Sequence, residues 1–136
     1  VTMDPQGNAV ACAFSMNNLF GTGRIAEGTG ILLAAAPGMG SVPAAPLAVS
    51  LATNRELRAF RAATAGTGQQ AAGIAAATMM WTALRRQPLE NGFANIPEPG
   101  RGLAVSCPAY VPGGNASCVA AADPRSGGVA TGSFAP

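Results

Sequence analysis

Hydrophobic and polar positions alternate along residues 9–17, a pattern that predicts a β-strand. The larger side chains share one face of this strand: Val10, Cys12, Phe14 and Met16. The other face carries small residues and ends in two polar ones, Ser15 and Asn17. Neither face carries a charge, so we expect both to be covered, the large-residue face by helices and with Cys12 in the core.

Residues 69–86 follow a helical period and predict the one long helix of the chain. Its apolar stripe is formed by Ile74, Thr78, Trp81 and Leu84. Pro88 ends the helix soon after two arginines. A glycine-rich turn at residues 64–68 precedes it, and backbone N–H groups at such a place either bind an anion or oxyanion or merely begin a helix.

Short β-prone runs flank this helix. We predict strands over residues 47–53, 103–107, 118–122 and 129–133, and a short buried strand over residues 31–33. Residues 57–63 are ambiguous, because Arg55, Arg58 and Arg61 stand at helical spacing and alternation alone cannot decide between a helix and a strand.

The composition predicts one domain that buries surface against a partner. The chain has 136 residues, of which 10% are charged, whereas about 25% is usual. The formal net charge is +2, and the arginines are scattered along the sequence with few aromatic residues nearby, so we expect no nucleic-acid partner. No apolar run is long enough for a membrane span, and none is predicted.

The absence of histidine narrows the possible chemistry most. The sequence contains no histidine and three cysteines, so it lacks serine–histidine and cysteine–histidine nucleophile pairs and imidazole zinc sites. The cysteines show no Cys-x-x-Cys spacing, and we predict no metal and no cofactor. Cys107 and Cys118 are free to pair in an oxidising compartment or to remain thiols, and their spacing leaves both possibilities open.

Four segments of the chain resemble a known family. They are DPQGNAV at residues 4–10, SMNNLFGTG at residues 15–23, GTGILL at residues 28–33 and DPR at residues 123–125. The first three are similar to the start of the small subunit of gamma-glutamyltransferases, and the last to its C-terminal end. The resemblance also favours a strand over residues 57–63.

That family consists of N-terminal-nucleophile hydrolases, and the resemblance implies a fold, a partner and a reaction. The expected fold is α+β, a four-layer αββα sandwich in which residues 1–136 form a single domain completed by a large subunit. A precursor cuts itself, and the new N-terminal Thr attacks a small-molecule amide to give an acyl-enzyme. We expect a bacterial heterodimer in the periplasm or outside the cell.

The resemblance assigns roles to individual residues. Ser15 matches a Thr whose hydroxyl forms a hydrogen bond with the nucleophile, and Asn17 matches an Asn that contacts the substrate. Gly66 and Thr67 fall at the glycine pair of the oxyanion hole, with the second glycine replaced. Ser41 offers the only hydroxyl where the family has a serine pair for the substrate carboxylate.

The chain also departs from the family pattern. By spacing, the nucleophile stands about four residues ahead of Val1, and this chain does not contain it. The acidic residue that binds the substrate amine should fall near Met39, but no Asp or Glu lies between Glu27 and Glu56. We therefore expect an amide hydrolase or acyltransferase with altered specificity. The alternatives are an inactive relative with a binding or structural role, and an unrelated Ala- and Gly-rich domain.

Overall fold

The structure is a computed structural model that describes residues 1–38 and 46–132. It is a mixed α+β fold, as expected. The strands are β1 (Thr2–Met3), β2 (Ala9–Val10), β3 (Ala48–Asn54), β4 (Ala59–Thr67), β5 (Arg101–Val111) and β6 (Val119–Ala122). The helices are α1 (Ala72–Leu84) and α2 (Glu90–Phe93), with 3-10 helices at Gln69–Ala71 and Asn115–Ser117.

Strands β3 to β6 form one antiparallel sheet in the order β3-β4-β5-β6. The ambiguous segment at residues 57–63 falls mostly in β4, which confirms the strand that the family resemblance favours. The glycine-rich turn expected at residues 64–68 is wrong except at its end, because β4 continues to Thr67. Ala59 to Gly66 are buried on both faces of the sheet, so no alternation in the sequence marks them as a strand.

Helix α1 packs on one face of this sheet, and it does so through small residues. Its buried positions are Ala72, Ala75, Ala76, Met79, Thr82 and Ala83. The predicted apolar stripe points the other way, since Ile74 is 53% exposed and Trp81 is 61% exposed. The prediction was wrong because alanines let the helix approach the sheet backbone closely, whereas the larger side chains do not fit there.

A buried arginine joins the sheet to the end of α1. Arg61 of β4 is 5% exposed, and its guanidinium donates hydrogen bonds to Ala83 O at 2.6 Å and to Ser106 Oγ at 3.0 Å. Burial lowers the pKa of Arg61. The carbonyl at the C-terminal end of the helix is the electronegative end of its dipole, so it stabilises the cation where it lies.

The hairpin of β1 and β2 covers the opposite face of the sheet. Val1, Met3 and Ala9 pack against a buried cluster formed by Phe60, Ala63, Val105, Cys107, Val111 and Cys118. Cys107 and Cys118 form a disulfide, which resolves the pairing that the sequence left open. The described part of the chain therefore stacks three layers: α1, the four-stranded sheet and the hairpin.

The predicted strand over residues 9–17 is paired only at Ala9–Val10. From Ala11 onward it has no strand partner among the described residues, although the alternation of exposure persists. The large-residue face is uncovered, with Phe14 85% exposed, and Cys12 is an exposed free thiol rather than a core residue. Both faces were expected to be covered, and this chain covers only the small-residue face.

Two further predicted strands are absent. Ile31 is 63% exposed, and the only pairing in that region is a single bridge between Ile25 and Leu32. Residues 129–132 form no strand. Both segments contain apolar runs too short to tell a strand from an exposed loop. Within the described ranges, no helix combines the length and hydrophobicity needed to cross a membrane.

Candidate functional site

Ser15 and Asn17 form the first group of predicted site residues. The backbone N–H of Asn17 donates to Ser15 Oγ at 2.9 Å, and both residues are half-buried on the inner face of their segment. Asn17 has φ 60°, a left-handed conformation that asparagine tolerates better than most residues. The structure thus brings the Ser15 hydroxyl to the backbone of Asn17 at a bend rather than in the strand that the pattern predicts.

Asn17 also joins the two ends of the segment formed by residues 18–34, through a hydrogen bond to Ala35. Its Nδ2 donates to Ala35 O at 2.6 Å, and the N–H of Ala35 donates to Met16 O at 3.1 Å. Residues 18–34 loop out between these contacts. The bond from Nδ2 to Ala35 O fixes the orientation of the Asn17 amide, and it uses one of the two N–H donors of Nδ2.

Gly66 and Thr67, the second group, are the last residues of β4. Gly66 lies in register with Gly102, and Thr67 with Arg101. A Cβ built on Gly66 would stand 2.1 Å from Ala72 O and 2.6 Å from Ala76 N. Gly66 therefore has a packing reason to be glycine, whatever its part in chemistry.

The chain turns at the next two residues: Gly68 belongs to the glycine-rich segment that was a candidate oxyanion site, and Gln69 was not predicted in the site. Gly68 has φ 105° and Gln69 has φ 54°, and they lead into the 3-10 helix that precedes α1. No side chain caps this helix start, and no acidic residue lies in its first turn. Free N–H groups at a helix start favour a negatively charged oxygen. A glycine directly after a strand was the signal for this turn.

The remaining predicted residue, Ser41, lies outside the described residues, as does Met39. In the described part of the chain, no hydrogen bond joins the pair Ser15 and Asn17 to the pair Gly66 and Thr67. A cavity of about 330 Å³ adjoins the first residues of the chain and is lined by Val1, Thr2, Leu103 and Ala121 among others. In the same described part, no three His, Cys, Asp or Glu residues are grouped to hold a metal ion.

The close contact at Gly66 makes a direct prediction. Gly66→Ala is expected to lower the free energy of unfolding by about 1–3 kcal/mol, because the new methyl group must push α1 away from β4. Gly73 is the matched control, since it has φ outside the left-handed region and a Cβ there meets no atom within 4 Å. Gly73→Ala should stabilise the helix slightly. Urea unfolding of both variants checks this, and equal effects would contradict the packing role of Gly66.

Comparison with solved structures gives the fold a precedent. The chain is similar to a highly active tryptophan-to-aspartate mutant of the gamma-glutamyltranspeptidase from Pseudomonas nitroreducens, with a TM-score of 0.65 and 17% identity over 97% of this chain and 96% of that one. The same enzyme complexed with L-DON gives a TM-score of 0.65 and 18% identity, covering 97% of each chain.

This chain has the gamma-glutamyltranspeptidase fold. The expectation drawn from the sequence motifs is thereby confirmed at the level of the fold. No protein-family model matches the chain, and no curated protein sequence matches it. The likeness to gamma-glutamyltranspeptidases therefore lies in the path of the backbone, and it covers nearly all of this chain and of the matched chain.

Proposed function

We propose that this chain is the small subunit of an N-terminal-nucleophile amide hydrolase or acyltransferase of the gamma-glutamyltranspeptidase type. The nucleophile is a Thr four positions ahead of Val1, released when a longer precursor cuts itself. Ser15, Asn17 and the backbone of residues 66–69 complete the site. A larger chain from the same precursor completes the four-layer sandwich.

The register of the hairpin is the observation that carries this proposal. Met3 lies opposite Ala9 in an antiparallel ladder, so each step back along β1 matches one step forward along β2. The position four ahead of Val1 is six steps before Met3, and Ser15 is six steps after Ala9. The nucleophile would therefore lie across the ladder from Ser15, and residues 11–17 would gain the strand partner that they lack here.

The direction of the hairpin supports the same site. Gly7, in the turn, closely approaches the carbonyl of Val111, and Val111 pairs with Phe60 near the start of β4. Both hairpin strands lead from there toward the other end of β4. Ser15 lies six residues beyond Ala9, and Gly66 lies six residues beyond Phe60, about 20 Å of extended chain in each case. Ser15 and residues 66–69 would thus meet at one end of the stacked sheets.

The chemistry needs no histidine. The α-amine of the N-terminal Thr takes the proton of its own hydroxyl, and the oxygen attacks the amide carbonyl of the substrate. Backbone N–H groups of residues 66–69 stabilise the oxyanion, with Gly68 and Gln69 presenting theirs at the turn. The α-ammonium group then gives this proton to the substrate nitrogen, the C–N bond breaks, an amine leaves, and the acyl group stays as an ester on the Thr oxygen. Water or an acceptor amine, which gives a proton to the same α-amine, then cleaves the ester. Ser15 Oγ would orient the nucleophile by a hydrogen bond.

The exposed apolar side chains of residues 10–31 are evidence for the proposed large partner chain. Phe14 is 85% exposed and Leu19 is 84% exposed, and further large side chains follow: Phe20, Ile25 and Ile31. Contiguous apolar surface of this kind marks a protein interface. Helices of the partner over Val10, Phe14 and Met16 would supply the outer layer that the sequence pattern predicts.

The proposed substrate is an amide whose acyl part differs from a free γ-glutamyl group. A cationic α-amine needs an acidic partner, and the chain has none between Glu27 and Glu56, where the family resemblance expects one. Ser41 remains a candidate for a carboxylate or other polar group of the substrate. The Cys107–Cys118 disulfide supports an oxidising compartment, either the periplasm or the exterior.

The test is intact mass and N-terminal sequencing of the naturally processed protein, together with assays on γ-glutamyl p-nitroanilide and on acyl p-nitroanilides without an α-amine. We expect a Thr four positions ahead of Val1, a co-purifying larger chain, and faster turnover of the second substrate class. An uncut precursor that turns over none of these amides would instead favour an inactive relative with a binding role.

A further inference from the structure

A loop closed by a disulfide lies beside the N-terminal hairpin. It comprises residues 107–118, the last five residues of β5 and the connection to β6, and the Cys107–Cys118 bond joins its two ends. Cys107 is 0% exposed and Cys118 is 4% exposed. The disulfide is therefore part of the core, and it limits how far the loop can move away from the sheet.

This loop contacts the hairpin at three points. Met3 Sδ lies 3.7 Å from Cys107 Sγ, a contact between sulfur atoms in the core. At the turn, Asn115 Nδ2 donates to Pro5 O at 2.9 Å. Gly7 approaches the loop so closely that a Cβ there would stand 2.6 Å from the Val111 carbonyl oxygen.

Hydrogen bonds within the loop orient the side-chain amide of Asn115 for this contact. Its Oδ1 accepts a hydrogen bond from the N–H of Gly113 at 3.2 Å, which turns Nδ2 toward the hairpin. Ser117 Oγ donates to Gly114 O and accepts from the N–H of Ala109. The side chains of Asn115 and Ser117, which also match a glycosylation acceptor motif in the sequence, are thus engaged in hydrogen bonds within the loop.

The hairpin needs such support, because its own ladder is short. Only two residue pairs join β1 and β2, and a two-stranded hairpin of that size is marginal in water. The Asp4 carboxylate organises the turn by accepting hydrogen bonds from the N–H groups of Gln6 and Asn8. Those bonds shape the turn but do not attach it to the sheet.

We propose that the disulfide-closed loop fixes the N-terminal hairpin on the sheet and that Asn115 is its positioning residue. The part of this inference that concerns catalysis rests on the proposed function. If the nucleophile continues β1, the loop sets where that nucleophile lies relative to residues 66–69. A small displacement there lowers the rate of the chemical step more than substrate binding.

Hydrogen exchange of the mature protein tests the structural part. Asn115→Asp keeps Oδ1 for Gly113 and removes the donor to Pro5. We expect backbone exchange in residues 2–10 to accelerate by about 10- to 100-fold, with exchange in α1 unchanged. Asn95→Asp is the matched control, because Asn95 Nδ2 donates to Asn91 O, also at 2.9 Å, away from the hairpin. Unchanged exchange in residues 2–10 of the Asn115 variant would overturn the proposal.

Kinetics test the catalytic part separately. With an active amide substrate, Asn115→Asp should lower kcat by about 10-fold and leave KM nearly unchanged. Asn115→Gln, which restores a donor, should recover part of the rate. If exchange is faster in the Asn115 variant but the unmodified protein has no amidase activity, the proposed function is refuted. The proposal that the disulfide-closed loop fixes the hairpin would still stand. If exchange is faster in the Asn115 variant but kcat is unchanged, the link between the disulfide-closed loop and catalysis is refuted.

Discussion

Replacing Asn17 with alanine is expected to lower kcat/KM for an amide substrate by about 100- to 1,000-fold, the effect of losing a hydrogen-bonding group that acts in the transition state. Asn17 Nδ2 donates to Ala35 O at 2.6 Å, which fixes the side chain while Oδ1 and the second N–H of Nδ2 stay available for a substrate. The loss should appear mainly in kcat, measured by steady-state kinetics on the processed protein.

A glycine at the same position separates the side chain from the backbone. Asn17 has φ 60°, where alanine is strained and glycine is not. If Asn17 acts through its amide, the alanine and glycine variants should lose activity to a similar extent. A glycine variant with nearly full activity would show that the left-handed backbone is what matters, and Asn17 would then not be a substrate contact.

Asp123→Asn is expected to lower the free energy of unfolding by about 3 kcal/mol. The Asp123 side chain is 0% exposed and forms an ion pair with Arg125 Nη2 at 2.7 Å. Its other oxygen accepts from Arg125 Nε at 2.9 Å and from the Arg125 backbone N–H. Breaking a buried pair from one side costs about 3–5 kcal/mol, and the partial exposure of Arg125 places this variant at the low end.

The pair also ties separate parts of the fold together. The Arg125 guanidinium donates to the carbonyls of Phe93, the last residue of α2, and of Ile96, which follows α2, while Asp123 begins the turn after β6. Urea unfolding measures the cost. Glu98→Gln is the control: Glu98 also pairs with Arg125 but is 63% exposed, so little change is expected. Equal losses in both variants would contradict a special role for the buried carboxylate.

The difference in the free energy of unfolding between the unmodified protein and Asp123→Asn should depend on pH in a defined direction. The hydrogen bonds from Arg125 lower the pKa of Asp123 below its ordinary value of 3.8. A lowered carboxyl pKa in the folded state contributes stability that is complete above the ordinary pKa and lost as the pH falls through the folded value. The gap between the unmodified protein and Asp123→Asn should be constant above about pH 5 and narrow below pH 3.8. A gap that stays constant down to pH 2 would refute this.

Several features could be predicted from the sequence because they depend on local pattern. The helix predicted at residues 69–86 corresponds to Gln69–Ala71 and Ala72–Leu84, since its ends carry a glycine and a proline that act locally. The alternation at residues 9–17 correctly placed Ser15 and Asn17 on one face. The motifs near both ends indicated the gamma-glutamyltranspeptidase fold.

Other features depend on which surfaces meet, and sequence pattern could not reveal them. The helix buries alanines instead of Ile74 and Trp81 because Gly66 lets α1 approach the backbone of β4. Residues 64–67 look like a turn, yet β3 and β5 pair with them and hold them as a strand. In both places close packing outweighs the local preference of the residues.

The candidate chemistry came from the sequence: the family resemblance implies an N-terminal nucleophile that supplies its own base, and the absence of histidine from this chain agrees with it. Tertiary structure alone decided the relations between distant residues. It joined Cys107 to Cys118, brought Asn115 to Pro5 and set the register of the hairpin formed by β1 and β2. Spacing along a chain cannot specify such contacts, because they form only when separate elements pack against a common core.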